Sequence, residues 1–247
     1  MIASLGAVEL AAVASIILVA ACAQMVSGFG FALMAVPLMG LAIDLKTAVV
    51  ISTICGTASN TFQAVTGSHH REGQLVKVLV VSSFLGMPFG VVLLDRVNAE
   101  VLQVVIGCVV LVALMAVVMR PAGKAVGGTS LEIGAGFLSG VLATSTSTNG
   151  PPLVLLLRSR GLSPDRFRAT INSVFSIVAV TTVVVFAVTG RFTDDVVTGS
   201  LVCLPGLVIG MALGSRLRGL LSVDVFWRIV LGLLVVTATS SIVSGLI

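Results

Sequence analysis

The run Ala143-Thr144-Ser145-Thr146-Ser147-Thr148-Asn149-Gly150-Pro151-Pro152 joins eight small or polar residues to two prolines in the middle of an apolar stretch. That stretch, residues 133–157, contains no Asp, Glu, Lys or Arg. Such a run is unstable against lipid, but it is tolerated where it is buried in protein or lines a cavity. It therefore predicts a broken helix in the interior of a helical membrane protein.

The composition supports a membrane protein. Hydrophobic residues make up 57% of the 247 residues and charged residues only 10%, against roughly 25% charged in a soluble domain. Eight stretches lack any Asp, Glu, Lys or Arg, and each is near or above the roughly 17–25 residues that a membrane span needs: 10–43, 47–70, 78–94, 101–119, 133–157, 169–190, 196–215 and 229–247. We therefore predict an all-α polytopic membrane protein in contact with lipid. The net charge of +4 is interpreted as a topology signal at helix ends and not as a nucleic-acid surface.

The first apolar stretch, residues 10–43, is too long for one crossing. As a straight helix its 34 residues would measure about 51 Å, whereas the hydrocarbon core is about 30 Å thick. The segment Gln24-Met25-Val26-Ser27-Gly28-Phe29-Gly30, followed by Pro37, predicts the position of a break, because Gly and Pro interrupt helices.

The Lys and Arg residues distinguish two topologies. If each broken segment crosses once, the two sides hold 9 and 5 of these residues; if each is a hairpin, they hold 3 and 11. Because Lys and Arg concentrate in cytoplasmic loops, the hairpin topology is favoured. It gives 8 full spans if the hairpins are re-entrant and 10 if they cross. Both termini are then expected outside, in a bacterial inner membrane.

Weak internal similarity predicts two repeats. Ala-Val-Thr-Gly occurs at 64–67 and again at 187–190, and the Gly and Pro landmarks around Pro88 are matched around Pro205 in the same order. We predict a first transmembrane repeat over 1–120 and a second, inverted one over 129–247. Inverted repeats with broken helices are a recurring design of secondary transporters.

The expected binding site uses neutral groups, because no Asp, Glu, Lys or Arg falls in the middle of a predicted span. Helix N-termini at the two breaks present free N–H groups and partial positive charge, which favours an anionic solute. Asn149 followed by Gly150 and Pro151 is a typical helix start. Tight helix packing is the alternative explanation for these small residues. The predicted substrate-binding residues are Gln24, Ser27, Gly28, Phe29, Gly30, Thr146, Ser147, Thr148, Asn149, Gly150, Pro151 and Asn172.

Four further residues are secondary candidates. Asn60 and Gln63 are polar residues within a predicted span, where they either face the cavity or satisfy a neighbouring helix. Lys46 and Arg168 each lie near the start of the second helix of a repeat. They either attract anions or extend towards the membrane surface.

Two motifs resemble the TauE/SafE (sulfite exporter, TSUP) family of membrane anion transporters. They are Ser27-Gly28-Phe29-Gly30-Phe31 with Val36-Pro37, and Gly136-Phe137-Leu138-Ser139-Gly140 with Asn149-Gly150-Pro151-Pro152. The segment 166–172 is also similar to the family's second-half helix start. The resemblance implies transport of sulfur-containing anions, such as sulfite, thiosulfate or organosulfonates. Phe29 and Phe31, beside the first break, suggest an organosulfonate with an apolar tail.

The sequence thus predicts a secondary transporter for a small sulfur-containing anion. An anion channel, or a transporter of another small organic anion, remains the alternative. An enzyme is not expected, because the only two His residues are adjacent in a loop and no carboxylate pair lies at membrane depth. No cofactor or metal is expected, and a homodimer is compatible with the sequence.

Overall fold

A computed structural model describes residues 5–98, 100–102, 104–105, 107–108, 111, 128–217, 232, 235 and 239. The apolar stretches 101–119 and 229–247, which are expected to span the membrane, lie largely outside this part of the chain.

The described residues form two series of helices. The first is α1 (Ala7–Ser27), α2 (Phe31–Met39), α3 (Leu45–Thr66) and α4 (Gly73–Arg96), with a short 3-10 turn at Ser68–His70. The second is α5 (Thr129–Thr146), α6 (Gly150–Ser159), α7 (Pro164–Val188) and α8 (Asp194–Leu217). No strand occurs among the residues described, so the predicted all-α class is confirmed there.

Four of these helices are long and apolar enough to cross a membrane: α1, α4, α7 and α8. Helix α3 has 22 residues and is long enough, but it is not one of the four. The reason is its composition, because hydroxyl and amide side chains recur along the helix. Its sequence is Leu-Lys-Thr-Ala-Val-Val-Ile-Ser-Thr-Ile-Cys-Gly-Thr-Ala-Ser-Asn-Thr-Phe-Gln-Ala-Val-Thr. A helix with this many polar groups at membrane depth must bury them against protein.

Each broken segment starts and ends at one end of the helix bundle. Residues 40–44, which follow α2, line the same large surface depression as residues 5–9 at the start of α1. Similarly Arg160, after α6, pairs with Glu132 in the first turn of α5. Both broken segments therefore turn back on themselves in the described structure.

Glycines bring two pairs of helices into close contact. Helix α4 packs on α5, where a Cβ added at Gly86 or Gly90 would overlap the backbone carbonyls of Phe137 or Val141. Helix α1 packs on α8 in the same manner, through Gly206, Gly210 and Gly214 of α8. Small residues spaced four apart are typical of helix contacts within membranes.

Helix α4 shows how the fold distributes its side chains. Val81, Leu85 and Phe89 are about 60% exposed along one face, whereas Ser82, Ser83 and Gly86 are buried on the opposite face. Large exposed apolar surfaces mark contact with membrane or protein. On this stretch of α4 the small and polar residues therefore lie inside the bundle, and the large apolar ones lie outside.

Candidate functional site

The first break spans residues 28–30 and depends on two glycines. Gly28 and Gly30 have φ values of +85° and +95°, a conformation that glycine adopts without steric cost. Ser27 supports the turn, because its hydroxyl accepts a hydrogen bond from the Phe29 N–H at 3.2 Å. Helix α2 then starts at Phe31, and the first amides of a helix have no acceptor within it.

The second break spans residues 147–149 and has a different chemistry. Ser147 has φ +58°. Among the residues that the structure describes, it is the one non-glycine residue with a positive φ. Asn149 occupies the N-cap of α6, as predicted, but its side chain makes no capping hydrogen bond. Pro151 and Pro152 follow Gly150 in the first turn of α6, and proline has no N–H. The donors here are mainly side-chain hydroxyl and amide groups.

Both breaks border one cavity in the interior of the bundle. Its volume is about 40 Å³, where one water needs about 10–15 Å³, so it accommodates a small ion or a few waters. The cavity is lined by residues 30–33, which join the first break to α2, and by residues 147–150, which join the second break to α6. The first turns of α2 and α6 therefore face a common space.

Helices α3 and α7 form further walls of the cavity, beside Gln24 of α1 and Ala143 of α5. Ser52, Thr53, Gly56 and Asn60 of α3 line it, as do Phe175, Ala179 and Thr182 of α7. The hydroxyls of Thr53 and Ser147 lie 2.9 Å apart, which links α3 to the second break. The hydroxyls of Thr61 and Ser176 also lie 2.9 Å apart and join the two wall helices.

Two buried polar atoms in the cavity wall lack a hydrogen-bond partner, the Gln24 Oε1 and the Ser52 Oγ. Both side chains are 1% exposed. The other end of the Gln24 amide is engaged, because Nε2 donates to the Asn60 Oδ1. Unpartnered buried polar atoms are rare in proteins, so these two atoms are candidates for contact with a ligand.

The structure thus brings together seven of the predicted residues at the cavity: Gln24, Gly30, Asn60, Ser147, Thr148, Asn149 and Gly150.

Other predicted residues support the breaks without lining the cavity. The Thr146 hydroxyl bonds to the Leu142 carbonyl at 3.0 Å and to the Thr148 hydroxyl. Phe29 is 4% exposed, and its ring packs edge-on against Phe167 with centroids 6.3 Å apart. Of the two phenylalanines expected to select an apolar tail, only Phe31 lines the cavity. Ser27, Gly28 and Pro151 lie in or next to the breaks, outside the cavity lining.

The remaining candidates lie farther along their helices. Asn172 donates to the Arg168 carbonyl at 2.9 Å, and Gln63 is 7% exposed with an unpartnered Nε2; neither lines the cavity. Lys46 lies in the first turn of α3, also outside the lining. Arg168 contacts the first break, because a Cβ added at Gly28 would lie 2.7 Å from its Cγ.

Sequence reasoning missed Ser52, Thr53 and Thr182 as wall residues. A signal for Ser52 existed, since Ser52, Gly56 and Asn60 are spaced four apart and share one face of a helix. None of the lining residues that the structure describes carries a charge. The arrangement supplies neutral donors and two helix N-termini, which are groups that favour an anion.

The profile of the family described as "Sulfite exporter TauE/SafE" matches residues 13–241. A protein of Cupriavidus necator (strain ATCC 17699) with the curated description "Probable sulfite/organosulfonate exporter TauE" is 24% identical over 220 residues, which cover 86% of this chain and 85% of that protein. No solved structure matches the chain.

The match to the family covers nearly the whole chain, and the apolar helices are those of an integral membrane protein. The chain belongs to the TauE/SafE family of sulfite exporters.

Proposed function

We propose that this protein is a secondary transporter, a permease, for a small sulfur-containing anion such as sulfite or an organosulfonate. The anion binds in the cavity between the two helix breaks. The observation that carries the proposal is that the first turns of α2 and α6 line one interior cavity whose described walls are uncharged. The family to which the chain belongs, and the exporter that it resembles, give the chemical class of the substrate.

The arrangement of the helices supports an inverted repeat. Helices α1 to α4 have 21, 9, 22 and 24 residues, and α5 to α8 have 18, 10, 25 and 24. The contacts between the two series are reciprocal, since α1 packs on α8, α4 packs on α5, and α3 packs on its counterpart α7. A pseudo-two-fold axis through the cavity explains both patterns. Alternating access by rocking of the two repeats is then a natural mechanism.

The ion pairs fit the predicted orientation in the membrane. Glu72 pairs with Arg166 at 3.0 Å, and Glu132 pairs with Arg160, at the end of the bundle that is rich in Arg. Asp95 pairs with Arg191 at the opposite end, near the start of α1. Because basic residues favour the cytoplasm, the first end is proposed to be cytoplasmic and the termini external, in an inner membrane.

Thermal unfolding in detergent tests the binding proposal. Sulfite, thiosulfate, alkylsulfonates, sulfate and acetate are each added to the purified protein. A ligand specific for the folded state stabilises it by about 2.7 kcal/mol at one hundred times its dissociation constant. We expect stabilisation by sulfite or sulfonates and none by acetate. The absence of stabilisation by any sulfur-containing anion would contradict the proposal.

Transport into proteoliposomes distinguishes a permease from an anion channel. A permease that alternates between two states saturates with substrate, and unlabelled sulfite inside the vesicles accelerates entry of labelled sulfite. We expect both effects. Flux that increases linearly with concentration and shows no such exchange would favour the channel.

A further inference from the structure

The cavity offers an acceptor as well as donors. The Gln24 side chain is 1% exposed, its Nε2 donates to the Asn60 Oδ1, and its Oε1 has no partner. A buried acceptor without a donor destabilises the site. An anion that carries only acceptors cannot satisfy it, whereas an anion with an acidic hydrogen can.

The positive potential that the helix N-termini create in the cavity is suited to an anion with a single negative charge. Each helix N-terminus acts as at most roughly +0.5 of an elementary charge, so the termini of α2 and α6 together supply no more than about +1. None of the described lining residues adds a positive charge. The desolvation cost of an ion increases with the square of its charge, so a dianion costs about four times as much as a monoanion of the same size. The attraction to the helix termini only doubles.

We infer that this site, in the proposed transporter, binds hydrogensulfite and not the sulfite dianion. The hydroxyl of hydrogensulfite donates to the Gln24 Oε1, and its other oxygens accept from the first turn of α2, the Gly150 N–H and the side chains of the second break. The inference rests on the proposed function and specifies the ionic form of the substrate. Sulfate, which is a dianion without a donor, is rejected on both grounds. Alkylsulfonates match the charge but leave the Gln24 Oε1 unpaired.

The protein contributes no titrating group inside the described cavity lining. On the helices around the cavity, the ionisable residues lie in the first or last two turns, apart from three thiols. These residues are Glu9, Lys46, Lys77, Asp95, Arg96, Glu132, Arg158, Asp165, Arg166, Arg168, Asp194, Asp195 and Arg216, and the thiols are Cys22, Cys55 and Cys203. His69 and His70 lie in the turn between α3 and α4. A pH dependence that they cause would affect every substrate equally.

The test is uptake of labelled sulfite by proteoliposomes of the full-length protein, at constant total sulfite and equal pH on both sides. Sulfite loses its second proton near neutral pH. Above that point the initial rate should fall about tenfold for each pH unit, because the hydrogensulfite fraction does so. Methanesulfonate, a monoanion throughout this range, should enter at a constant rate. Sulfate should not compete with sulfite.

Several results would overturn the inference. An initial rate of sulfite uptake that stays constant or rises with pH would contradict it. Sulfate that competes with sulfite as strongly as methanesulfonate does would also contradict it. A parallel pH dependence for methanesulfonate would assign the effect to the protein. If neither sulfite nor methanesulfonate enters at any pH, the proposed function itself fails.

Substitution of Gln24 tests the acceptor separately. Gln24→Met retains the length of the side chain but removes Oε1. It should weaken hydrogensulfite binding about tenfold to a hundredfold. It should weaken methanesulfonate binding less, because only the loss of the Nε2 donor to the Asn60 Oδ1 affects both ligands. The matched control is Gln63→Leu, which removes another buried amide that lies outside the cavity lining and should affect neither ligand. Equal loss of both ligands in Gln24→Met, or no loss, would overturn the proposed hydrogen bond.

Discussion

The two breaks face the same cavity but present hydrogen-bond donors in different ways. At the first break, residues 31–33 each carry an N–H group in the first turn of α2. At the second, residues 150–152 read Gly-Pro-Pro, so only Gly150 retains an N–H. The hydroxyls of Ser147 and Thr148 and the amide of Asn149 take the place of the missing backbone donors. The first break therefore depends on backbone geometry, whereas the second depends on side-chain chemistry.

The two breaks also differ in the residues that adopt a positive φ. The first break uses glycine at both positive-φ positions, Gly28 and Gly30, and the second places Ser147 at one. A non-glycine residue in the left-handed region costs roughly 1–2 kcal/mol. Substitutions in the first break should therefore affect folding, whereas substitutions in the second should affect binding.

Gly28→Ala should have the largest effect. Alanine at φ +85° is strained, and its Cβ would lie 2.7 Å from the Arg168 Cγ. The strain costs roughly 1–2 kcal/mol, and overpacking adds roughly 1–3 kcal/mol. Thermal or chemical unfolding in detergent measures the sum as a loss of stability.

Gly30→Ala is the matched control for this substitution. Gly30 has a similar φ of +95°, but nothing lies within 4 Å of an added Cβ. It should lose only the strain energy. Equal losses in the two variants would show that the contact with Arg168 does not contribute, and the double variant Gly28→Ala with Arg168→Ala should recover part of the difference.

Asn149→Ala should weaken anion binding with little change in stability. An N-cap residue replaced by alanine usually costs about 0.5–2 kcal/mol, but Asn149 makes no capping hydrogen bond. Loss of a hydrogen bond to a charged ligand costs about 1.5–3 kcal/mol. Titration of sulfite and thermal unfolding of the same variant separate the two quantities. A large loss of stability with unchanged affinity would assign Asn149 a structural role.

Ser147 permits a finer test of the second break. Ser147→Ala removes the hydroxyl that pairs with Thr53 and retains the positive φ. Ser147→Gly removes the same hydroxyl but relieves the strain. The glycine variant should therefore be more stable than the alanine variant by roughly 1 kcal/mol, and both should bind sulfite more weakly than the wild type. Identical stability of the two variants would argue against strain at this position.

The positions of the breaks could be predicted from local sequence, but their extent could not. Glycine, proline and the length of the first apolar stretch locate both of them. The sequence also suggested that Gln24 and Thr146 lie within the breaks, whereas α1 and α5 continue through these residues. The hydroxyls of residues 144–146 bond to carbonyls one turn back, as Ser and Thr do in helices. A run of such residues is therefore compatible with both a helix and a break.

The walls of the site depend on contacts between distant parts of the chain. Asn60 could be named as a candidate from its polarity alone, but its pairing with Gln24 joins residues 36 positions apart. Arg168 reaches the first break only because the start of α7 packs there. Which face of α3 or α7 meets the cavity follows from helix packing, and the sequence pattern of a single helix does not specify the partner.

Gly56→Ala should have the smallest effect and concerns the wall that both breaks share. Its Cβ would lie 3.3 Å from the ring of Phe31, so the ring must shift by a fraction of an ångström into the first break. The crowding is offset by the higher helix propensity of alanine, about 1 kcal/mol, so stability should change little. The cavity of about 40 Å³ loses room beside the first turn of α2. Affinity for ethanesulfonate should therefore fall more than affinity for sulfite, and competition assays measure the ratio. Because Phe31 directly follows the first break, a changed ratio would show that this break also influences selectivity. An unchanged ratio would leave selectivity to the side chains of the second break.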